Sequence, residues 1–186
     1  MTVRPTDILE FWFTHAGSAK WYAKSDAFDA EIRTRFEAFA VDAAAQVKRD
    51  GTHEWQVEPD TALALIIALD QFPRNMYRDN KGAFAWDKYA LACAQNAIAQ
   101  GHDLKIGQDR RAFFYMPFMH AEDLAMQDEC VRLMDMRIDS ESSLFHAKAH
   151  RKLIADFGRF PHRNKILGRD STNAERAFLA QGGYAP

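Results

Sequence analysis

Apolar side chains recur at intervals of three and four residues along most of this chain, and that spacing places them on one face of a helix. Between residues 25 and 49, for example, Phe28, Ile32 and Phe36 follow this spacing, and charged residues fall between them. No stretch alternates apolar and polar residues for long enough to predict a strand. We therefore predict an all-α fold with essentially no sheet.

Caps and breaks in the pattern set the expected helix boundaries. Pro73 is predicted to end one helix, because its ring would clash with the carbonyl four residues earlier, and Pro117 is predicted to end or kink another. Short connections predict stacked antiparallel hairpins, an irregular tetratricopeptide-like α-α superhelix without a fixed repeat period. The predicted helices cover residues 6–15, 25–49, 58–72, 86–100, 110–116, 121–137, 141–157 and 172–181.

Length and composition are those of an ordinary globular chain. With 186 residues, 47% hydrophobic and 27% charged, it is expected to form a single helical domain over residues 1–186. Cys93 and Cys130 are isolated, so we expect reduced, buried thiols. The N-terminus lacks the basic and apolar regions of a signal peptide, and no apolar run reaches membrane-spanning length. A cytoplasmic protein that does not bind membranes is expected.

Charge is distributed unevenly. Formal net charge is −2, which gives no reason to expect a nucleic-acid partner. The segment from His120 to Glu141 is mainly acidic, whereas the segment from Lys148 to Arg169 is mainly basic. Either the two segments complement each other across a helical hairpin, or the basic one forms a groove for phosphate or acidic ligands.

Asp70 falls on the predicted core face of its helix, so its carboxylate needs a partner. Arg74 is the nearest candidate in the sequence. The pair either anchors a loop or presents an arginine that binds a substrate while an aspartate holds it.

His120 is followed closely by Glu122 and Asp123, at the expected start of a helix. Histidine beside carboxylates can act as a general base or as a metal ligand, so these three residues are the catalytic candidates. The alternative is that the acids only complement the helix dipole.

His146 and His150 lie four residues apart on a predicted helix. That spacing can hold a metal, but the glutamate of H-E-x-x-H is absent and no third ligand is indicated. A hydrogen-bonded pair that lines a cleft is therefore preferred, and no metal or cofactor is assigned.

Two turns share a Phe-Pro, basic residue, Asn pattern. The first contains Arg74 and Asn75, and the second contains Arg163 and Asn164. Either two related hairpins are closed by the same turn chemistry, or the paired arginines clamp one anionic ligand. No phosphate-binding loop, nucleophile elbow or C-x-x-C motif occurs in the chain.

Three segments together resemble the bacterial domain-of-unknown-function 924 family over nearly the whole chain. They are residues 69–75, residues 116–123, and residues 158–164 with 167–169. The resemblance implies an all-α, tetratricopeptide-like fold and no established activity.

Two functions are therefore expected to compete. In the first, a polar cleft binds a small anionic molecule or an acidic peptide through its histidines and arginines, with Asp70, Arg74, Asn75, His146, His150, Arg163 and Asn164 as binding candidates. In the second, the protein is an enzyme in which His120 with Glu122 or Asp123 moves a proton, with or without a metal. The sequence leaves the ligand, the reaction and the oligomeric state open.

Overall fold

A computed structural model describes residues 2–21 and 23–185, and within these ranges the chain is helical without strands. The all-α prediction is confirmed. The α-helices are α1 (Pro5–Leu9), α2 (Ser18–Trp21), α3 (Asp26–Asp50), α4 (Pro59–Met76), α5 (Asp87–Ala99), α6 (Gln108–Arg111), α7 (Met116–Met119), α8 (Leu124–Arg137), α9 (Glu141–Phe157), α10 (Asn164–Leu167) and α11 (Asn173–Ala180). A π-helical segment, Glu10–Ala16, follows α1, and short 3₁₀ turns include Lys81–Phe84 and Pro161–Arg163.

Helix α4 lies at the centre of the packing. It contacts α1, α3 and α5, and every residue from Ala62 to Pro73 is buried. A helix that is enclosed on all sides has no solvent-facing side, so its polar side chains must find partners inside the protein. Asp70 and Gln71 are therefore placed where their chemistry is determined by neighbouring helices.

Pro73 does not end α4, contrary to the prediction. The helix continues to Met76 with Pro73 inside it. A proline inside a helix costs about 3 kcal/mol, but burial of Phe72 and Met76, which are 0% and 1% exposed, contributes roughly 1.5–3 kcal/mol each. Core packing on both sides of the proline therefore outweighs the missing backbone hydrogen bond.

The region around Pro117 also differs from the prediction. Instead of one helix over residues 110–116, the chain forms α6, a 3₁₀ turn and α7, with Pro117 in the first turn of α7. Proline is accommodated there because its position needs no intrahelical N–H. Helix α8 begins at Leu124 and not at residue 121, so His120 lies outside α8 and does not share a face with it.

Several other predicted boundaries are confirmed. Ser25 caps α3 by accepting a hydrogen bond from the Phe28 backbone N–H, and Thr172 forms a capping box with Glu175. Gly101 follows α5 with a φ of +69°, the left-handed conformation that glycine adopts without strain.

Helices α8 and α9 pack against each other, and α7 contacts both. The uneven charge distribution is partly explained by pairing, since Arg151 on α9 contacts Asp128 on α8 and Arg169 contacts Glu122. The first interpretation of the charge pattern thus accounts for these residues. The single domain over residues 1–186 and the tetratricopeptide-like superhelix stay predictions.

Candidate functional site

A cluster of polar side chains forms where α4, α5, α7 and α9 meet the 3₁₀ turn Pro161–Arg163. It brings together residues from the three segments that carry the family resemblance. We call it the central polar cluster and define it as Asp70, Arg74, Asp87, His120, His150 and Arg163.

The closest contact within the central polar cluster joins Asp70 and His120. The Nδ1 atom of His120 lies 2.8 Å from Oδ1 of Asp70, whose side chain is completely buried. Gln71 donates to the other carboxylate oxygen at 2.6 Å. Because an ionised Asp70 only accepts hydrogen bonds, Nδ1 of His120 carries the proton and Nε2 is left with its lone pair. Nε2 has no hydrogen-bond partner among the described residues, and the His120 side chain stays 13% exposed.

Two arginines share a carboxylate in the central polar cluster, and that carboxylate belongs to Asp87. Arg74 donates to Asp87 at 3.0 and 3.1 Å, and Arg163 reaches it at 3.4 Å. Arg74 also lies 3.5 Å from Asp70, so the predicted Asp70–Arg74 pair is present but is longer than the contact with His120. The anion between Arg74 and Arg163 in this structure is therefore supplied by the protein itself.

Arg163 is the most enclosed of the cluster's cations. Its side chain is 7% exposed, and its Nη1 donates to the backbone carbonyl of His120 at 3.1 Å. The guanidinium carbon lies 4.6 Å from the ring centre of Phe84 and 4.4 Å from that of Phe160. Its Nε is buried and has no hydrogen-bond partner in the described part of the chain. An unsatisfied buried donor costs about 1–3 kcal/mol.

Burial and neighbouring charges shift the pKa of these groups. Burial opposes the charge on Asp70, but His120 and Arg74 outweigh it and lower the pKa of Asp70. Burial, with the nearby charge of Arg74, lowers the pKa of His120 in spite of Asp70. Burial, reinforced by Arg74, lowers the pKa of Arg163 to about 10. We call Asp70 and His120 the Asp70–His120 dyad. At neutral pH it consists of an ionised aspartate beside a neutral imidazole, and this imidazole can accept a proton.

The predicted histidine pair is divided between two environments. His150 is 4% exposed, and its ring centre lies 6.4 Å from that of His120. His146 is exposed, and its Nδ1 lies 2.8 Å from the hydroxyl of Tyr184, which also approaches Nδ1 of His150 at 3.4 Å. His150 therefore joins the central polar cluster, and His146 lies at its edge. Across residues 2–21 and 23–185, no three His, Cys, Asp or Glu side chains are grouped to hold a metal ion.

The two acids expected to assist His120 make other contacts. Glu122 accepts hydrogen bonds from Arg169 at 2.6 and 2.9 Å and from the Phe160 backbone N–H at 2.8 Å. Asp123 caps α8 by accepting from the Met126 backbone N–H at 3.0 Å. The carboxylate that contacts the imidazole of His120 is thus that of Asp70.

The two asparagines of the Phe-Pro segments make contacts away from Asp70 and His120. Asn75 donates to Asp29 at 2.8 Å, and Asn164 donates to Ser171 at 3.1 Å. Both are buried. Their partners are other side chains of the scaffold, and neither contacts His120 or Asp70.

Sequence reasoning missed Asp87, Phe84 and Phe160 as neighbours of the two arginines. Asp87 is the first residue of α5, where an acid is an ordinary partner of the helix dipole, so its position alone gave no signal. Phe160 belongs to the second Phe-Pro turn, and its aromatic ring next to Arg163 was the available hint.

Two shallow surface depressions, of about 360 and 220 Å³, are lined by other residues, among them Met136 and Phe28. The central polar cluster instead reaches solvent through partly exposed side chains. His120 is 13%, Asp87 18% and Arg74 21% exposed. These fractions allow contact with a small molecule at the surface of the cluster.

Comparison with known proteins confirms the family resemblance of the sequence. A family described as "Bacterial protein of unknown function (DUF924)" matches residues 8–183. The chain belongs to this family. A solved structure of a protein of unknown function from Agrobacterium tumefaciens is 42% identical, with a TM-score of 0.87, over 96% of this chain and 97% of that one. No curated protein matches significantly. Along the described residues, no helix is long and apolar enough to cross a membrane.

Acid is expected to destabilise the protein through its buried histidines. Burial, with the nearby charges of His120, Arg163 and His162, lowers the pKa of His150 to about 3, whereas an unfolded histidine titrates near 6.5. Below about pH 6.5, the unfolded chain therefore binds a proton at His150 that the folded protein does not bind. The free energy of unfolding consequently decreases as the pH falls below about 6.5. Between about pH 7 and about pH 5, His150 alone is expected to remove on the order of 2 kcal/mol of stability.

Urea denaturation at the two pH values measures this effect. His150→Gln should show a smaller pH-dependent loss than the unchanged protein, since glutamine does not titrate. His15→Gln is the matched control, because the His15 side chain is 51% exposed, and it should keep the full pH dependence. An identical pH dependence in the His150→Gln variant would contradict the assignment of a buried, neutral His150.

Proposed function

We propose that this protein binds a small acidic molecule beside the Asp70–His120 dyad and moves a proton to or from it through Nε2 of His120. The observation that carries the proposal is the 2.8 Å contact between His120 Nδ1 and Asp70 Oδ1. It fixes the tautomer and leaves Nε2 as the available base, which is the arrangement that general acid-base catalysis requires. In this proposal His120 is the catalytic residue and Asp70 is the positioning residue.

A cysteine nucleophile has little support. Burial raises the pKa of Cys93 to about 11 and that of Cys130 to about 12, so neither thiol is ionised near neutral pH. The reaction class that we propose is proton transfer on the substrate or activation of a water molecule by His120. Both thiols are free and buried, which supports the reducing, cytoplasmic location that we propose.

Burial favours a small molecule over an acidic peptide as the ligand. The Arg163 side chain is only 7% exposed and that of Arg74 only 21%. A peptide carboxylate held by its own main chain would reach such groups poorly, whereas a free small acid can approach them. We assign ligand binding to Arg163, with Arg74 fixed by Asp70 and Asp87.

The test uses pooled small carboxylic acids and esters incubated with the purified chain in D₂O, followed by NMR and mass spectrometry. One compound is expected to exchange a proton for deuterium or to be hydrolysed. His120→Gln should slow this change by about 10²–10⁴-fold. Asp70→Asn should also shift the pH profile of the reaction rate, because the imidazole of His120 then loses its fixed tautomer.

His15→Gln serves as the histidine control, since His15 pairs with Glu31 away from the dyad, and it should leave the rate unchanged. Conversion that persists in His120→Gln would exclude His120 as the base. Binding without chemistry is the second candidate, favoured by the buried Nε of Arg163, which has no hydrogen-bond partner among the described residues. A compound that raises the melting temperature but stays chemically unchanged would support that candidate.

A further inference from the structure

We infer that the acid bound at the central polar cluster is a monocarboxylate, held by the unoccupied edge of the Arg163 guanidinium that Nε and Nη2 form. This inference rests on the proposed function, because it names the class of molecule that the same site would take. Three observations lead to it: the unpaired donor nitrogens of Arg163, the fixed plane of its guanidinium, and the charge balance around it.

Only one end of the Arg163 guanidinium is engaged. Nη1 donates to the His120 carbonyl at 3.1 Å and lies 3.4 Å from Asp87. Nε is buried without a partner, and Nη2 has no hydrogen bond to any described residue. A buried donor without a partner is unusual, since nearly all such groups are hydrogen-bonded in folded proteins. The Nε and Nη2 edge is therefore where a ligand would complete the arginine's hydrogen bonding.

The aromatic contacts hold that edge in place. The guanidinium carbon lies 4.6 Å from the centre of the Phe84 ring and 4.4 Å from that of the Phe160 ring. Phe160 is completely buried, so this ring cannot move aside freely. The N–H groups on Nε and Nη2 run parallel, and their spacing matches the two oxygens of one carboxylate.

The charge balance disfavours a ligand with more than one negative charge. Arg74 and Arg163 are opposed by Asp70 and Asp87, and each aspartate contacts at least one of these arginines. Burial lowers the pKa of His120 and of His150, so both histidines are neutral near pH 7. Of the surrounding cations, Arg169 already pairs with Glu122.

One carboxylate would add one negative charge and fill the free donors of Arg163. Because the cations of the cluster are already paired, each added negative charge is costly in this buried site, and phosphate or a dicarboxylate adds two such charges. The geometry therefore favours a monocarboxylate over these dianions.

The first experiment measures thermal unfolding of the full chain at constant ionic strength with acetate, butanoate, hexanoate and benzoate. Each is compared with its primary amide, and phosphate and malonate are the dianionic probes. At least one monocarboxylate should raise the melting temperature, and its amide and both dianions should not. The inference is overturned if no monocarboxylate stabilises the protein, or if an amide, phosphate or malonate stabilises it equally.

The second experiment repeats the titration with Arg163→Lys, which keeps the charge and removes the two-pronged edge. The stabilisation should be lost. Arg49→Lys is the matched control, because Arg49 is 67% exposed and pairs only with its neighbour Asp50 among the described residues, and it should respond like the unchanged protein. Stabilisation that survives Arg163→Lys would overturn the inference.

The third experiment needs no variant and so does not depend on the folding of Arg163→Lys. The Nε–H resonance of Arg163, identified by its contacts with the rings of Phe84 and Phe160, should move when the stabilising carboxylate is added. An unmoved resonance at saturation overturns the inference.

The two proposals fail in different ways. A carboxylate bound at Arg163 without any chemistry would leave this inference standing and contradict proton transfer. A phosphate ester converted in a His120-dependent reaction would do the reverse.

Discussion

Replacing Asp70 with alanine is expected to lower the free energy of unfolding by about 3–5 kcal/mol, the usual effect of removing one partner of a buried ion pair. Asp70 is 0% exposed and contacts His120 at 2.8 Å, Gln71 at 2.6 Å and Arg74 at 3.5 Å. The substitution would leave a buried arginine and a buried imidazole without a shared acceptor. Urea denaturation near neutral pH measures the loss.

Asp60→Ala is the control for this change, because Asp60 lies on the same helix. Its side chain is 60% exposed and contacts Arg110 at 3.4 Å, so its loss should cost at most about 1 kcal/mol. Equal losses in the two variants would mean that the central polar cluster contributes no more than a surface ion pair. Asp70→Asn separates charge from volume and should fall between the two.

Replacing Glu122 with alanine is expected to cost about 2–4 kcal/mol, since hydrogen bonds to charged groups contribute about 1.5–3 kcal/mol. Its carboxylate joins Arg169 and the backbone N–H of Phe160. Burial opposes the charge on Glu122, but these hydrogen bonds lower its pKa. These hydrogen bonds therefore hold the segment after α9, which includes Arg163, against the start of α8.

Hydrogen exchange localises the second effect. In Glu122→Ala, the amides between residues 158 and 180 should exchange faster than in the unchanged protein, whereas the exchange of the α4 amides should stay the same. Only the segment 158–180 loses a contact that holds it in place. Glu129→Ala provides the matched control, since Glu129 pairs with Arg132 on the same helix surface at 2.6 Å and both are partly exposed. It should cost about 0–1 kcal/mol. Uniform acceleration throughout the chain would contradict a local anchoring role.

Asp70 and Glu122 show that the polar groups of the three sequence segments have two different structural roles. Asp70 orients His120 within the central polar cluster, whereas Glu122 holds the neighbouring turn in position. Both were candidates from the sequence, Asp70 as a binding residue and Glu122 as a partner of His120. The structure assigns the contact with His120 to the residue fifty positions earlier in the chain.

Some helix boundaries could be predicted from the local sequence pattern alone. The caps at Ser25 and Thr172 and the stop before Gly101 depend on residues within one turn, and all three are confirmed. Pro73 and Pro117 show where this pattern was not sufficient. Burial of Phe72 and Met76 keeps α4 intact through Pro73, and a proline that opens a helix cannot be distinguished locally from one that ends a helix.

The sequence by itself determined the all-α fold, most helix ends and most of the segments that supply the central polar cluster, because periodicity and capping act over three or four residues. Only the tertiary structure decided the partners: Asp70 for His120, Asp87 for both arginines and Arg169 for Glu122. These pairs join helices and turns distant in the chain. Helix packing decides which polar side chains lie close together in the interior. Each buried charge then pairs with one of these neighbours, because an unpaired buried charge is costly.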